Sequence, residues 1–98
     1  MAMTPEGRVK AQVKKWLKER NIFYFMPVSN GMGQVGIPDF ICCVNGMFLG
    51  IETKAPGKRG NTTANQDRVI MEIHKSGGAA VVIDDVSQLE ELETWRTK

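Results

Sequence analysis

Apolar positions in the first twenty residues repeat with the period of a helix. Four of them form a stripe roughly 100° wide, as an amphipathic helix packed on a core requires; they are Val9, Val13, Trp16 and Leu17. Thr4 followed by Pro5 predicts where the helix starts, because threonine caps a helix and proline fits its first turn. The pattern therefore predicts a first helix that runs from Thr4 to about Arg20.

Three segments rich in aromatic and β-branched residues follow, and each is predicted to be a strand. They are residues 22–28, 37–44 and 47–55. Asn45-Gly46 joins the second to the third and predicts a tight antiparallel hairpin, because both turn positions need positive φ. In that register Val44 faces Met47, and Asp39 would lie directly opposite Glu52.

The remaining elements predict a mixed sheet. The capping box that Thr63 and Gln66 form opens a second helix, which ends near Lys75. Residues 79–84 form a short apolar run, predicted as a buried strand parallel to the third strand. A second capping box at 87–90 predicts a closing helix. The order α-β-β-β-α-β-α gives the fold class α/β, with a mixed sheet flanked by helices in one domain over residues 1–98.

Composition narrows the class of protein. The chain has 98 residues, 42% hydrophobic and 24% charged, which is ordinary for a globular protein, and its net charge of +2 does not by itself indicate a nucleic-acid partner. Cys42 and Cys43 are adjacent, so they provide neither a disulfide framework nor spaced zinc ligands. A reducing, intracellular location in the cytoplasm is the natural interpretation. No apolar stretch approaches the roughly 20 residues of a membrane span, so no membrane partner is expected.

Basic residues are concentrated on the first helix and in one loop. On the helix they recur every fourth residue, at Lys10, Lys14 and Lys18, and in the loop they are Lys58 and Arg59. Such a stripe is usually a solvated face; the alternative is contact with the phosphates of a nucleic acid.

The glycine-rich segment 31–36 matches the spacing G-x-G-x-x-G of a dinucleotide-binding turn. That turn must be followed by a helix, whereas Pro38 and a predicted strand follow here, so no nucleotide cofactor is expected. A loop that lets a nucleic-acid backbone approach Asp39 is the better interpretation, with Asn30 and Gln34 as candidate contacts.

The predicted hairpin would place two acidic side chains and one lysine side chain on the same face of the sheet. Two opposed carboxylates, Asp39 and Glu52, repel each other unless a cation lies between them, and hard divalent ions such as Mg²⁺ take oxygen ligands. Lys54 lies two residues beyond Glu52 and so points to the same face. Phosphodiester hydrolysis uses a metal ion and a fixed positive charge near the attacking water. The alternative is a surface cluster in which Lys54 only neutralises the two acids.

The residues Ile37-Pro38-Asp39, followed by Ile51-Glu52-Thr53-Lys54, resemble the PD…ExK signature of the PD-(D/E)XK nuclease superfamily. Gly36 to Phe40, Glu52-Thr53-Lys54 and Gln66 resemble more narrowly the virus-type replication-repair nuclease (VRR-NUC) domain. The resemblance spans residues 4–85 and implies a restriction-endonuclease-like αβββαβ core.

The resemblance also implies roles for individual residues. Asp39 and Glu52 would bind Mg²⁺ or Mn²⁺ together with the backbone carbonyl of Thr53, and Lys54 would orient or deprotonate the attacking water. Glu6 would be an accessory metal ligand, and Gln66 would lie near the site as part of the catalytic set. For Glu6 the alternative is an acid that merely suits the helix dipole, and for Gln66 it is the second half of the capping box.

The function expected from this resemblance is a metal-dependent DNA endonuclease, selective for branched DNA such as Holliday junctions. The alternatives are a non-cutting nucleic-acid-binding module of the same fold and a nuclease acting on ordinary duplex DNA. A homodimer is expected because resolving a junction needs two symmetric cuts; a monomer that nicks single strands is the alternative. Apolar residues that a small core leaves uncovered could serve a dimer, among them Phe23, Phe25 and Trp95.

Overall fold

The computed structural model of the chain describes residues 3–28 and 34–96. In chain order the elements are α1 (Pro5–Glu19), β1 (Phe23–Phe25), β2 (Phe40–Val44), β3 (Met47–Thr53), α2 (Ala64–Lys75), β4 (Ala79–Ile83), a 3₁₀ turn (Val86–Leu89) and α3 (Glu91–Arg96). The predicted α/β order is confirmed. In the part of the chain so described, no helix is long and apolar enough to cross a bilayer.

The four strands form one mixed sheet in the order β1-β2-β3-β4. Strand β2 is antiparallel to both β1 and β3, whereas β4 is parallel to β3, as predicted. The hairpin turn has φ 51° at Asn45 and 79° at Gly46, the positive values that a tight turn requires. The predicted register is confirmed from Val44↔Met47 to Phe40↔Ile51.

Helix α1 covers one face of the sheet with the apolar stripe predicted for it. Its start is capped by Thr4, whose hydroxyl accepts a hydrogen bond from the Gly7 N–H at 3.0 Å. The residues buried between α1 and the sheet include Val13, Leu17, Phe40, Leu49 and Ile51. Each large side chain of this kind stabilises the fold by about 1.5–3 kcal/mol. The opposite face is covered in part by α2, which packs near β4 and buries Val69.

Several predicted element boundaries were wrong, since β1 spans only Phe23–Phe25 instead of residues 22–28 and β3 ends at Thr53 instead of residue 55. Strand β2 begins at Phe40 rather than at residue 37, because Pro38 has no N–H for a ladder and packs on Gly50 instead, where an added Cβ would lie 2.8 Å from the proline Cγ. The closing helix does not begin with a capping box at Ser87. Asp85 is the cap: its carboxylate accepts from the Ser87 N–H at 2.9 Å and opens the 3₁₀ turn, so that α3 starts only at Glu91.

Candidate active site

Asp39 lies one residue before β2, at the end of the β2–β3 ladder. It was predicted to face Glu52 as a ladder pair, but the ladder ends at Phe40↔Ile51. The Asp39 Oδ2 atom instead accepts hydrogen bonds from Thr53, at 2.9 Å from its N–H and 2.7 Å from its hydroxyl. The two acids are nevertheless brought together, because the backbone N–H of Asp39 donates to the Glu52 carboxylate.

The β2–β3 register bears on the backbone groups of Thr53. Had the ladder continued, Thr53 would have paired with Pro38, which has no N–H to donate. The missing proline N–H would have left the Thr53 carbonyl without its ladder donor, while the Thr53 N–H donates to the Asp39 side chain. Since the N–H and C=O of an extended residue are directed to the same neighbour, the Thr53 carbonyl is directed to the Asp39 side without a ladder donor. This is the arrangement that a backbone-carbonyl metal ligand requires.

Glu52 is a buried acid in an unfavourable electrostatic environment. Only 5% of the residue is exposed. Burial, and then the charge of Asp39, raise its pKa to about 7, and the opposing effect of Lys54 is smaller. A carboxylate so placed is costly to ionise in the absence of a further positive charge. A divalent cation bound between Asp39 and Glu52 would remove that cost.

Gln66 connects the acid to the lysine. Its amide Nε2 donates to Glu52 Oε2 at 2.8 Å, and its Oε1 accepts from Lys54 Nζ at 3.0 Å. The Lys54 ammonium lies 3.7 Å from the same Glu52 oxygen. Gln66 Oε1 also accepts from the Thr63 N–H at 3.0 Å, which completes the capping box of α2. Gln66 therefore lies at the candidate site and also forms the capping box, and its membership of a catalytic set stays a prediction.

Gly36 holds the segment before Asp39 against the start of α2. Its φ is +90°, and an added Cβ would lie 2.5 Å from the backbone oxygen of Asn65 and 3.0 Å from the Gln66 nitrogen. The sequence was interpreted as a glycine-rich loop over residues 31–36 that lets a nucleic-acid backbone approach Asp39, and residues 31–33 of it lie outside the described residues. Gly36 itself has a structural task, since only glycine permits this close approach between the two segments that carry Asp39 and Gln66.

Lys10 lies beside the acids of the candidate site and not only on the exposed face of α1. Its Nζ lies 3.4 Å from Glu6 Oε2 and 3.7 Å from Asp39 Oδ1. The prediction that Lys10 contacts phosphate is not tested by this placement and stays a prediction. Glu6 is thereby brought beside the site, where its negative charge also acts on Glu52. Its role as an accessory metal ligand stays a prediction.

The other predicted nucleic-acid contacts lie around the site. Lys14 and Lys18 are exposed on α1, and Lys58 and Arg59 are exposed in the loop after β3. The Arg59 Nε also donates to the Val82 carbonyl on edge strand β4 at 2.7 Å, so this side chain is anchored. Gln34 is exposed and lines a groove of about 300 Å³ that ends at Asp39. Asn30 lies outside the described residues.

The donor set fits a hard divalent ion. Across residues 3–28 and 34–96, no group of three or more His, Cys, Asp or Glu side chains is arranged to hold a metal by itself. Mg²⁺, however, is commonly bound by one or two carboxylates, with waters and substrate phosphates completing the shell. Asp39, Glu52 and the Thr53 carbonyl supply oxygen ligands of that kind.

Comparison with known proteins supports the fold. No family model and no curated protein sequence matches the chain. A solved structure described as a VRR_NUC domain superposes with a TM-score of 0.72 at 24% sequence identity, over 94% of this chain and 97% of that one. The α/β fold expected from the sequence, a mixed sheet flanked by helices, is thus the fold observed, and it is shared with that VRR_NUC domain structure.

Proposed function

We propose that the protein is a metal-dependent DNA endonuclease that hydrolyses phosphodiester bonds, with a preference for branched DNA such as Holliday junctions. One observation carries the proposal. Glu52 is buried beside Asp39 while Gln66 holds the Lys54 ammonium next to it. A surface cluster that only balances charge would not need a buried acid with a raised pKa. The likeness to a VRR_NUC domain structure supports the same class of chemistry.

Each part of the site has a distinct task in this proposal. Bound Mg²⁺ or Mn²⁺ would supply Lewis-acid polarisation of the phosphate and a more acidic water. Asp39, Glu52 and the Thr53 carbonyl would hold the ion. The Lys54 ammonium, held by Gln66 at 3.0 Å, would offer a positive charge and an exchangeable proton to the attacking water.

The surface of α1 supports a DNA path that passes the site. Glu6 and Lys10, near the start of α1, contact the site, and the exposed Lys14 and Lys18 continue the basic face along the helix. Contacts from such lysines go to phosphates, so they add affinity without reading the base sequence. This agrees with an enzyme that selects the shape of its DNA.

An exposed apolar surface supports the proposed homodimer. Phe23, Cys43 and Phe48 are cross-strand neighbours on the face opposite α1, and Phe25 lies beside them. Phe23 is 69% exposed, Phe25 51% and Phe48 44%. A second copy packed on this surface would bury it and provide two cutting sites for a symmetric junction. The side chain of Trp95, also suggested for this contact, lies outside the described residues.

The activity is tested with a panel of labelled DNA. Linear duplex, flapped and four-way DNA are incubated with the protein in Mg²⁺, Mn²⁺ or EDTA. The proposal predicts metal-dependent, paired cuts on the four-way DNA and slower cutting of linear duplex. Binding without cutting in every metal would indicate a non-cutting module, and equal cutting of all substrates would leave a nuclease for ordinary duplex DNA.

The dimer is tested by light scattering at micromolar concentration. Wild-type protein should have twice the mass of one chain, and Phe23→Ser should reduce that mass to one chain. Met71→Ser is the matched control, because Met71 is 57% exposed but lies on α2 and not on the strands that carry Phe23 and Phe48. A wild-type monomer that makes unpaired nicks would contradict the dimer and leave the nuclease proposal standing.

A further inference from the structure

Lys10 occupies a position that the proposed metal chemistry does not explain. It is the one predicted phosphate-binding lysine that the described structure brings into contact with both Glu6 and Asp39. Its side chain is 35% exposed, and its Nζ lies between the Glu6 and Asp39 carboxylates. A lysine used only for solubility or DNA binding would not need to lie there.

Lys10 faces the oxygen of Asp39 that does not bond Thr53. Asp39 Oδ2 already accepts two hydrogen bonds from Thr53, so Oδ1 is the oxygen of Asp39 that is left for a further cation. Lys10 Nζ lies 3.7 Å from that oxygen. An ammonium and a divalent ion cannot both be close neighbours of Oδ1 without repelling each other.

We infer that Lys10 is an internal counter-ion that competes with the divalent metal for Asp39 and Glu6. In the metal-free protein its charge relieves the repulsion between Glu6 and Asp39. When the metal binds, the Lys10 side chain leaves Asp39 Oδ1, which its partial exposure permits. Lys10 therefore lowers metal affinity and stabilises the metal-free fold. The inference rests on the proposed function, because it requires that the site bind a metal.

Metal binding measured by calorimetry tests this inference without any cleavage assay. Mn²⁺ is titrated into wild-type protein and into Lys10→Met, Lys10→Arg and Lys14→Met. Removing one positive charge about 5 Å from a divalent ion in a partly hydrated site should tighten Mn²⁺ binding about tenfold. Lys10→Arg keeps the charge and should bind like wild type. Lys14→Met is the matched control, because it removes an exposed charge one helical turn further along α1 and should change the affinity less than twofold.

Thermal unfolding provides a second measurement. Without metal, Lys10→Met should unfold at a lower temperature than wild type, and saturating Mn²⁺ should raise its midpoint by more than it raises that of wild type. If Lys10→Met does not fold well enough for calorimetry, Lys10→Gln replaces it in both measurements.

The possible results separate this inference from the proposed function. Equal or weaker Mn²⁺ binding by Lys10→Met, with wild-type protein binding normally, would overturn the role of Lys10 alone. Absence of Mn²⁺ binding in every variant, wild type included, would overturn the metal-dependent function and this inference with it.

Discussion

Thr53 makes two hydrogen bonds to one oxygen of Asp39, at 2.9 Å from its backbone N–H and at 2.7 Å from its hydroxyl. Thr53 is fully buried, so this pair fixes the orientation of the carboxylate at the edge of the sheet. The other oxygen, Oδ1, faces Lys10 and is the one left for the cation that we propose.

Thr53→Val should weaken the site without unfolding the protein. The substitution keeps the shape of the side chain and the backbone hydrogen bond but removes the hydroxyl donor. Loss of such a supporting contact costs about 10- to 100-fold in metal affinity or activity. Cleavage rate and Mn²⁺ affinity should both fall by about tenfold. Thr62→Val removes the exposed hydroxyl that donates to Asp67 and should leave both unchanged; an equal loss in the two variants would argue against a specific role of Thr53.

Comparing Thr63→Ala with Gln66→Ala distinguishes the role of Gln66 in helix capping from its role in the candidate site. Thr63→Ala removes one half of the capping box and should lower the free energy of unfolding by about 1 kcal/mol while cleavage persists. Gln66→Ala removes the other half and also the bridge between Glu52 and Lys54. It should cost a similar amount of stability and reduce cleavage a further 10- to 100-fold. Urea unfolding and cleavage rates measured on both variants check this, and equal activity of the two would restrict Gln66 to capping.

The raised pKa of Glu52 makes the stability of the metal-free protein depend on pH. Because its pKa is about 7 in the folded state and near 4.5 when unfolded, the folded state holds the proton more tightly. This stabilisation is fully present below the unfolded pKa and is lost as pH rises through about 7. The loss amounts to roughly 3 kcal/mol at most.

Urea unfolding in EDTA at pH 5 and pH 8 measures this loss. Wild-type protein should be less stable at pH 8, and Glu52→Gln should lose most of that difference while matching or exceeding wild type at pH 8. Glu72→Gln, at an exposed position paired with Arg68, should retain the wild-type difference. A Glu52→Gln protein with the full wild-type pH dependence would contradict the account of the buried acid.

Lys14 and Lys18 should contribute phosphate contacts. Replacing each by alanine should weaken binding to all DNA sequences alike and reduce the log-log salt slope by about one unit per contact. Lys75→Ala, at the end of α2, is the control and should leave the slope unchanged. A slope that stays the same in the Lys14→Ala and Lys18→Ala variants would indicate that these lysines form a solvated face and do not contact phosphates.

Local signals explain which parts of the fold could be predicted. The Asn45-Gly46 turn fixes the β2–β3 register by itself, and Thr63 with Gln66 defines the start of α2, so both were predicted correctly. The β2–β3 ladder ends earlier than extending the register from the turn would predict. Pro38 lacks an N–H, and the Asp39 side chain accepts a hydrogen bond from Thr53 of β3.

The contacts of the site that depend on tertiary packing could not be predicted in this way. A stripe of lysines indicates a face of a helix, but only the packing of α1 on the sheet places Lys10 beside Asp39. The close approach of Gly36 to Asn65 likewise depends on two segments distant in sequence. A glycine before a proline-aspartate pair gives no sign of the partner it meets.

Cleavage of labelled four-way DNA by Asp39→Asn, Glu52→Gln and Lys54→Ala in Mn²⁺, compared with wild type in Mn²⁺ and in EDTA, tests the central claim most directly. Circular dichroism shows whether each variant keeps the fold. Wild-type protein should cut in Mn²⁺ and not in EDTA, and each folded variant should lose cutting by at least about a thousandfold, as expected for removal of a group that acts in the transition state. Undiminished cutting in EDTA, or full cutting by Lys54→Ala, would contradict the mechanism.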